Sequence, residues 1–151
     1  MADFRARPYS AFNFLIKLGD EADPNSPYAG FQEVTGLGME ITVQEYRAGN
    51  SKENSATKIT GTHKVTDVTC KRGVIGALDL YEWLSQVRDG SQDSLRTVLI
   101  QLMSEDHNTV ALSWRLTNAR PIKYTAPAFN GKGTDVAVEE LVLAAERIDM
   151  E

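Results

Sequence analysis

The sequence predicts one mainly β domain with a single helix and one β-hairpin too long for the domain that carries it. Three observations support this. Apolar and polar residues alternate through most of the 151-residue chain, the pattern of strands buried on one face. Helical spacing is clear over one stretch only. Between Met39 and Gly73, two alternating segments flank a long polar loop. A chain of this length fits one domain, residues 1–151, and such a domain buries roughly 70% of its unfolded surface, enough for a core.

Taken in order, Phe12, Phe14, Ile16 and Leu18 alternate with Asn13 and Lys17 and predict a first strand over 10–18. The segment Gly19 to Gly30, with Pro24, Asn25 and Pro27, reads as a surface connection. Phe31 to Thr35 is a short strand, and Gly36-Leu37-Gly38 a flexible corner leading into the hairpin. In the first arm Met39, Ile41 and Val43 leave one face and Glu40, Thr42 and Gln44 the other. In the second, Val68 and Cys70 oppose Asp67, Thr69 and Lys71. The loop from Ala48 to Thr57 is long where about four to six residues are usual, so it is either mobile or ordered by a neighbour.

Beyond the hairpin, Ala77, Leu80, Tyr81, Leu84 and Val87 recur at helical spacing up to Arg88, with Asp89-Gly90 as a stop. Leu80, Tyr81 and Leu84 are expected to face the sheet, with Trp83 beside them and partly exposed. Asp79, Glu82, Gln86 and Arg88 form the polar outer face. Val98, Ile100 and Leu102, a turn at 105–108, then Leu112, Trp114 and Leu116 make an antiparallel hairpin. After Asn118, the turn formers Pro121, Pro127 and Asn130-Gly131-Lys132-Gly133 predict a loop ending near Thr134. The last stretch carries two patterns. Val138, Leu141, Val142, Ala145 and Ile148 fit an amphipathic helix; Leu141 and Leu143 also alternate as in a strand, which a bulge near Glu139-Glu140 would extend to Val138.

Composition and motifs narrow the function. With 42% hydrophobic and 25% charged residues the chain is ordinary globular protein, which sets aside disorder, collagen and coiled coil. A net charge of −5 argues against wrapping nucleic acid with a basic surface. Cys70 is the only cysteine, so no internal disulfide forms, and its place beside Val68 predicts a buried, structural thiol. No stretch approaches the ~20 apolar residues of a membrane span, and the Met1 to Tyr9 segment carries no apolar signal region. His63 and His107 lack the spacing of a metal site. Gly131-Lys132-Gly133-Thr134 is an incomplete phosphate loop, Gly36-Leu37-Gly38 an incomplete dinucleotide fingerprint, and no G-x-S-x-G arms a serine. Lys71-Arg72 reads as strand-end solubilisers or salt-bridge donors. The expectation is a protein without catalytic residues, cofactor or metal.

One set of segments in this order resembles a known family. Phe12-Asn13-Phe14, Phe31 to Leu37 (FQEVTGL), Glu45 to Asn50 (EYRAGN), Lys71-Arg72-Gly73 followed by Leu80-Tyr81-Glu82-Trp83, Trp114 to Pro121 (WRLTNARP) and Asp135 to Glu139 (DVAVE) are similar to the tail-tube proteins of contractile phages and contractile injection systems. The resemblance runs from about Ser10 to the C-terminus.

It implies a small antiparallel β-barrel or sandwich with one flanking α-helix and a long protruding hairpin, ending in a β-strand; that decides the ambiguous segment from Asp135 onward. It also implies six copies in a ring, and stacked rings forming a hollow conduit. The hairpins would join around the channel, with Glu40, Thr42, Gln44, Asp67, Thr69 and Lys71 facing the lumen. The loop residues Gly49, Asn50, Ser51, Lys52, Glu53, Asn54 and Ser55 would touch the adjacent ring, and Asp79, Glu82 and Arg88 a contractile sheath. Expected partners are further copies of the chain, the sheath, a baseplate hub, a terminator or cap, and DNA or protein cargo in the lumen. Expected localisation is assembly in the bacterial cytoplasm, then a phage tail or a released particle. The rival readings are a type VI secretion tube protein and a monomeric ligand-binding β-barrel whose hairpin wraps an apolar cavity.

Overall fold

The alternating segments become nine strands in a computed structural model that describes all residues except 1, 20–22 and 24. They are β1 (Phe14–Leu18), β2 (Phe31–Thr35), β3 (Met39–Tyr46), β4 (Thr57–Val65), β5 (Val68–Gly73), β6 (Arg96–Met103), β7 (Val110–Thr125), β8 (Val138–Ala144) and β9 (Arg147–Met150); helix α1 spans Asp79–Arg88. Seven strands form one sheet: the order β1-β6-β7-β8-β5-β2, with β9 also on β7. β7 belongs to two leaves of this sheet. Its first part pairs with β6 and β9, its second with β8, and Asn118, at φ 53°, turns the strand between them. The leaves fold over a core of Ile16, Val68, Val98, Ile100, Leu116, Leu141 and Leu143, with Leu80 and Trp83 of α1 covering it. β1 and β2 end the order, and among the described residues no pairing joins them, so the sheet is the sandwich-like form of the expected barrel or sandwich.

Several expectations are corrected. The first strand starts at Phe14, not at 10, and Phe12 is exposed; the preceding arm is instead pinned to the β6–β7 turn by the bidentate Arg5–Glu105 pair at 2.7 and 2.8 Å. That pair, with backbone donors, holds the Glu105 carboxyl down at about 2. Of the expected 19–30 connection, a short 3-10 turn at Pro27–Ala29 is described and Pro24 lies outside the described residues. β7 runs on through Pro121 to Thr125 where a loop was expected. A register shift between Pro121 and Lys123 relieves the ladder of the amide that proline lacks.

On α1 Leu80 is buried and Leu84 half-buried, as expected, but Tyr81 and Trp83 exchange places. Trp83 is buried and Tyr81 exposed, because the Trp83 indole N–H donates to the Ser94 carbonyl at 2.6 Å and its ring lies under Arg96. A satisfied indole brings its whole ring inside. The helix stops where expected, with Gly90 at φ 85°.

The C-terminal segment is strand, as the resemblance implies, but without the bulge near Glu139. Alternation places Glu139, not Val138, on the core face beside Leu141 and Leu143. A carboxylate there would be costly alone. Arg72 of β5, directly opposite in register, answers it. Arg72 is only 1% exposed. Its Nε and Nη2 donate to Glu139 Oε1 at 3.0 and 2.7 Å, its Nη1 and Nη2 to Asp79 of α1 at 2.9 and 2.8 Å, and its Nη1 also to the Tyr28 carbonyl at 2.8 Å. A guanidinium has five N–H bonds, and all five are used. Burial works against the Arg72 charge, but the bonds to Asp79 and Glu139 outweigh it and raise its pKa. The other oxygen of Glu139 accepts from the Tyr124 hydroxyl at 2.6 Å, which pushes that phenol up to about 12.

Arg72→Leu strands two carboxylates and is expected to cost about 3–5 kcal/mol, read as a fall in Tm of roughly 10 °C or more; Tyr124→Phe removes one bond and costs about 1 kcal/mol. Because the folded-state pKa of Tyr124 is raised, its contribution is complete below the ordinary tyrosine value of 10.0 and is lost as pH climbs through about 12. Ultraviolet titration of the wild type against Tyr124→Phe shows whether one phenol ionises late.

Candidate functional site: the two-stranded ribbon

β3 and β4 pair only with each other and form a separate two-stranded sheet that stands off the body. The register runs from Met39 opposite Val65 to Tyr46 opposite Thr57. The hairpin is therefore Met39 to Val65, and its second arm is Thr57–Val65, not the segment around Val68 and Cys70. Those two residues are buried in β5, in the core of the main sheet. The error has a physical source: Val68 and Cys70 alternate so cleanly because they line the body's core, whereas β4 alternates weakly because both of its faces meet solvent.

Every residue of β3, and every residue of β4 except Val65, is exposed. One face carries Met39, Ile41, Val43 and Glu45, opposite Val65, His63, Thr60 and Lys58; the other carries Glu40, Gln44 and Tyr46, opposite Lys64, Ile59 and Thr57. Met39 at 51%, Ile41 at 57% and Val43 at 49% exposure form an apolar row that the chain itself leaves uncovered. Between Ile41 and Val43 the register shifts, and β4 spends one extra residue there. Gly61 lies in that bulge, where a Cβ would stand 3.0 Å from the Thr42 carbonyl oxygen. Bulges sharpen the right-handed twist of a strand pair.

The ribbon is clamped at its root. Gly36 adopts φ +88°, and a Cβ there would lie 2.2 Å from the Asp67 carbonyl oxygen. The Thr66 hydroxyl is set between the carbonyls of Gly36 at 2.5 Å and Gly38 at 3.0 Å, and its amide donates to Gly38 at 3.1 Å. The expected flexible corner is thus a fixed one. At the far end Arg47 gathers its own loop, donating to the carbonyls of Glu53 at 2.9 Å and Ser51 at 3.1 Å.

The structure sorts the expected site residues. Glu40, Thr42 and Gln44 lie on the ribbon as placed. Asp67, Thr69 and Lys71 do not: Asp67 is in the turn that leaves β4, and Thr69 and Lys71 lie on β5, where Lys71 meets Glu33 of β2 at 3.5 Å. Gly49, Asn50, Ser51, Lys52, Glu53, Asn54 and Ser55 form the exposed tip. Glu82 and Arg88 face outward from α1, but Asp79 is half-buried and committed to Arg72. Sequence reasoning missed Lys58, Ile59 and Lys64, whose only signal was weak alternation, and missed the Thr66 clamp altogether. Beside the ribbon's root, burial pushes the Cys70 thiol up to about 12, so it is inert at neutral pH.

Residues 10–149 match the model of the T4-like virus tail tube protein gp19 family. Among solved structures, the chain is similar to one in an extracellular contractile injection system, the PVC sheath-tube complex in its extended state, with TM-score 0.83 and 27% identity over 97% of this chain and 93% of that one. It is similar also to a chain of the anti-feeding prophage tube-terminating cap, with TM-score 0.79 and 27% identity over 99% of this chain and 95% of that one. Hcp1 from Flavobacterium johnsoniae shares the fold, with TM-score 0.53 and 12% identity over 91% of this chain and 93% of that one. No curated protein sequence shows significant similarity. Among the described residues, no helix is long and apolar enough to cross a membrane.

Two substitutions test the clamp. Gly36→Ala, strained in its φ and blocked by backbone, should cost roughly 1–3 kcal/mol, and Thr66→Val about 1 kcal/mol. In both, hydrogen exchange of the β3–β4 amides should speed up more than that of β7, and equal acceleration everywhere would show that the clamp does not hold the ribbon.

Proposed function

Because this chain belongs to the T4-like virus tail tube protein gp19 family, we propose that the β3–β4 ribbon of each copy completes itself on its neighbours, six copies closing a ring and rings stacking into the inner tube of a contractile injection particle. The observation that carries this reading is the ribbon itself. Two strands alone are marginal in water, and this pair exposes an apolar row on one face together with both of its outer edges. Open strand edges are sites of association, and a rotational ring of head-to-tail contacts removes them.

The other surfaces follow. The Gly49–Ser55 tip meets the adjacent ring, Glu82 and Arg88 face the sheath, and the ends of the stack meet a baseplate hub and a terminator. The protein is structural and non-catalytic, assembles in the bacterial cytoplasm, and carries cargo through its lumen. Two observations favour an injection particle over a type VI tube: 27% identity to a chain of an extracellular contractile injection system, and only 12% to Hcp1. The ligand-binding barrel loses its support, since the sheet is open and the ribbon stands away from the core instead of wrapping it.

Negative-stain microscopy and size-exclusion chromatography of the purified protein should show rings or rods; a monomer under all conditions would refute the reading. Ile41→Asp with Val43→Asp should abolish rings while costing the monomer no more than about 1–2 kcal/mol, because both side chains are already half in solvent and lie outside the core. On stacking, the amides of Gly49 to Ser55 should gain protection from exchange.

A further inference from the structure

The ribbon's charges are arranged in a way that its assembly role does not require. The chain carries −5 overall, yet from Met39 to Val65 it holds four basic residues, Arg47, Lys52, Lys58 and Lys64, against three acidic ones, Glu40, Glu45 and Glu53. The acidity of the protein is kept in the body. Within the strands the matching is pairwise: Glu40 stands directly opposite Lys64, and Glu45 directly opposite Lys58. The first pair lies on one face and the second on the other. Whichever face turns to the channel, its formal charge at neutral pH is therefore zero.

We infer that the cross-strand pair on whichever face lines the channel keeps the channel wall electroneutral, so that transit does not depend on the sign of the cargo's net charge. The inference rests on the tube reading above. An acidic wall would repel a polyanion but hold a basic protein, and a basic wall would do the reverse, since a charged channel concentrates counter-charged solutes about 10-fold to 10³-fold. A wall of paired charges does neither. At register distance each lysine stands directly across from a carboxylate of its own ribbon, so the two signs offset each other at the wall. The wall suits polypeptide cargo, whose members carry charges of both signs, better than a uniform polyanion.

The test uses assembled tubes of the full chain, formed in the presence of a small fluorescent protein in an acidic or a basic version, and reads the amount retained after washing. Wild-type tubes should retain the two within about twofold of each other, with little change between low and physiological salt. Lys58→Gln with Lys64→Gln leaves an acidic wall and should favour the basic protein by about tenfold or more; Glu40→Gln with Glu45→Gln should reverse the preference. If one variant does not assemble, the other and the wild type decide. Wild-type tubes that already prefer one sign by about tenfold, or paired variants that behave like wild type, would overturn the inference while leaving the tube reading intact. Failure of the wild type to form tubes removes both.

Discussion

The docking of helix and connection onto the sheet depends on the five N–H bonds of Arg72. A buried guanidinium is tolerable only when each of them is answered in one geometry, and here the answers come from β8, α1 and the segment before β2. The pair thus fixes how far the helix stands from the sheet and where the connection around Tyr28 crosses it. Glu139 is the complementary half: it sits on a core face because Arg72 and Tyr124 meet it there. Apolar residues at these positions would pack as well but would not specify the docking direction of α1. Directionality is what the ion pairs add.

The contrast with the ribbon is physical. In the body, no buried side-chain polar atom among the described residues lacks a partner, and a core of Ile16, Val68, Val98, Leu116, Leu141 and Leu143 is fully covered, although Phe12, Phe129 and Val136 stay exposed at its periphery. The ribbon, joined to the body through the Gly36–Thr66 clamp, has no core of its own: every residue of its strands but Val65 is exposed. A rigid root under an incomplete strand pair is what a polymerising subunit needs: the unsatisfied surface is presented in a set direction, and little entropy remains to be lost when a neighbour docks.

How much of this was legible in the sequence depended on which face of each element meets a core. β1, β2, β6 and the first half of β7 were readable because they alternate against apolar neighbours. β4 was not, because with both faces in solvent Lys58, Ile59, Thr60 and Gly61 carry no burial signal, and the cleaner alternation of Val68 and Cys70 took its place. Pro121 suggested a loop because a proline removes a ladder donor, and only the register shift beside it makes the strand possible. Glu139 broke the apolar period of β8 and invited a bulge; its partner Arg72 lies 67 residues away, beyond any local pattern. For the ribbon site, the alternation of Glu40, Thr42 and Gln44 is visible, while the cross-strand register that sets Glu40 opposite Lys64 depends on a bulge at Gly61 that no local pattern announces.

The kinked β7 carries a mechanical implication. Its 16 residues are the shared border of both leaves, so neither leaf has a complete ladder without it. Melting one leaf strips hydrogen bonds from the other through the same backbone. The shared strand therefore couples the two leaves, the arrangement expected of a small domain that unfolds as one unit.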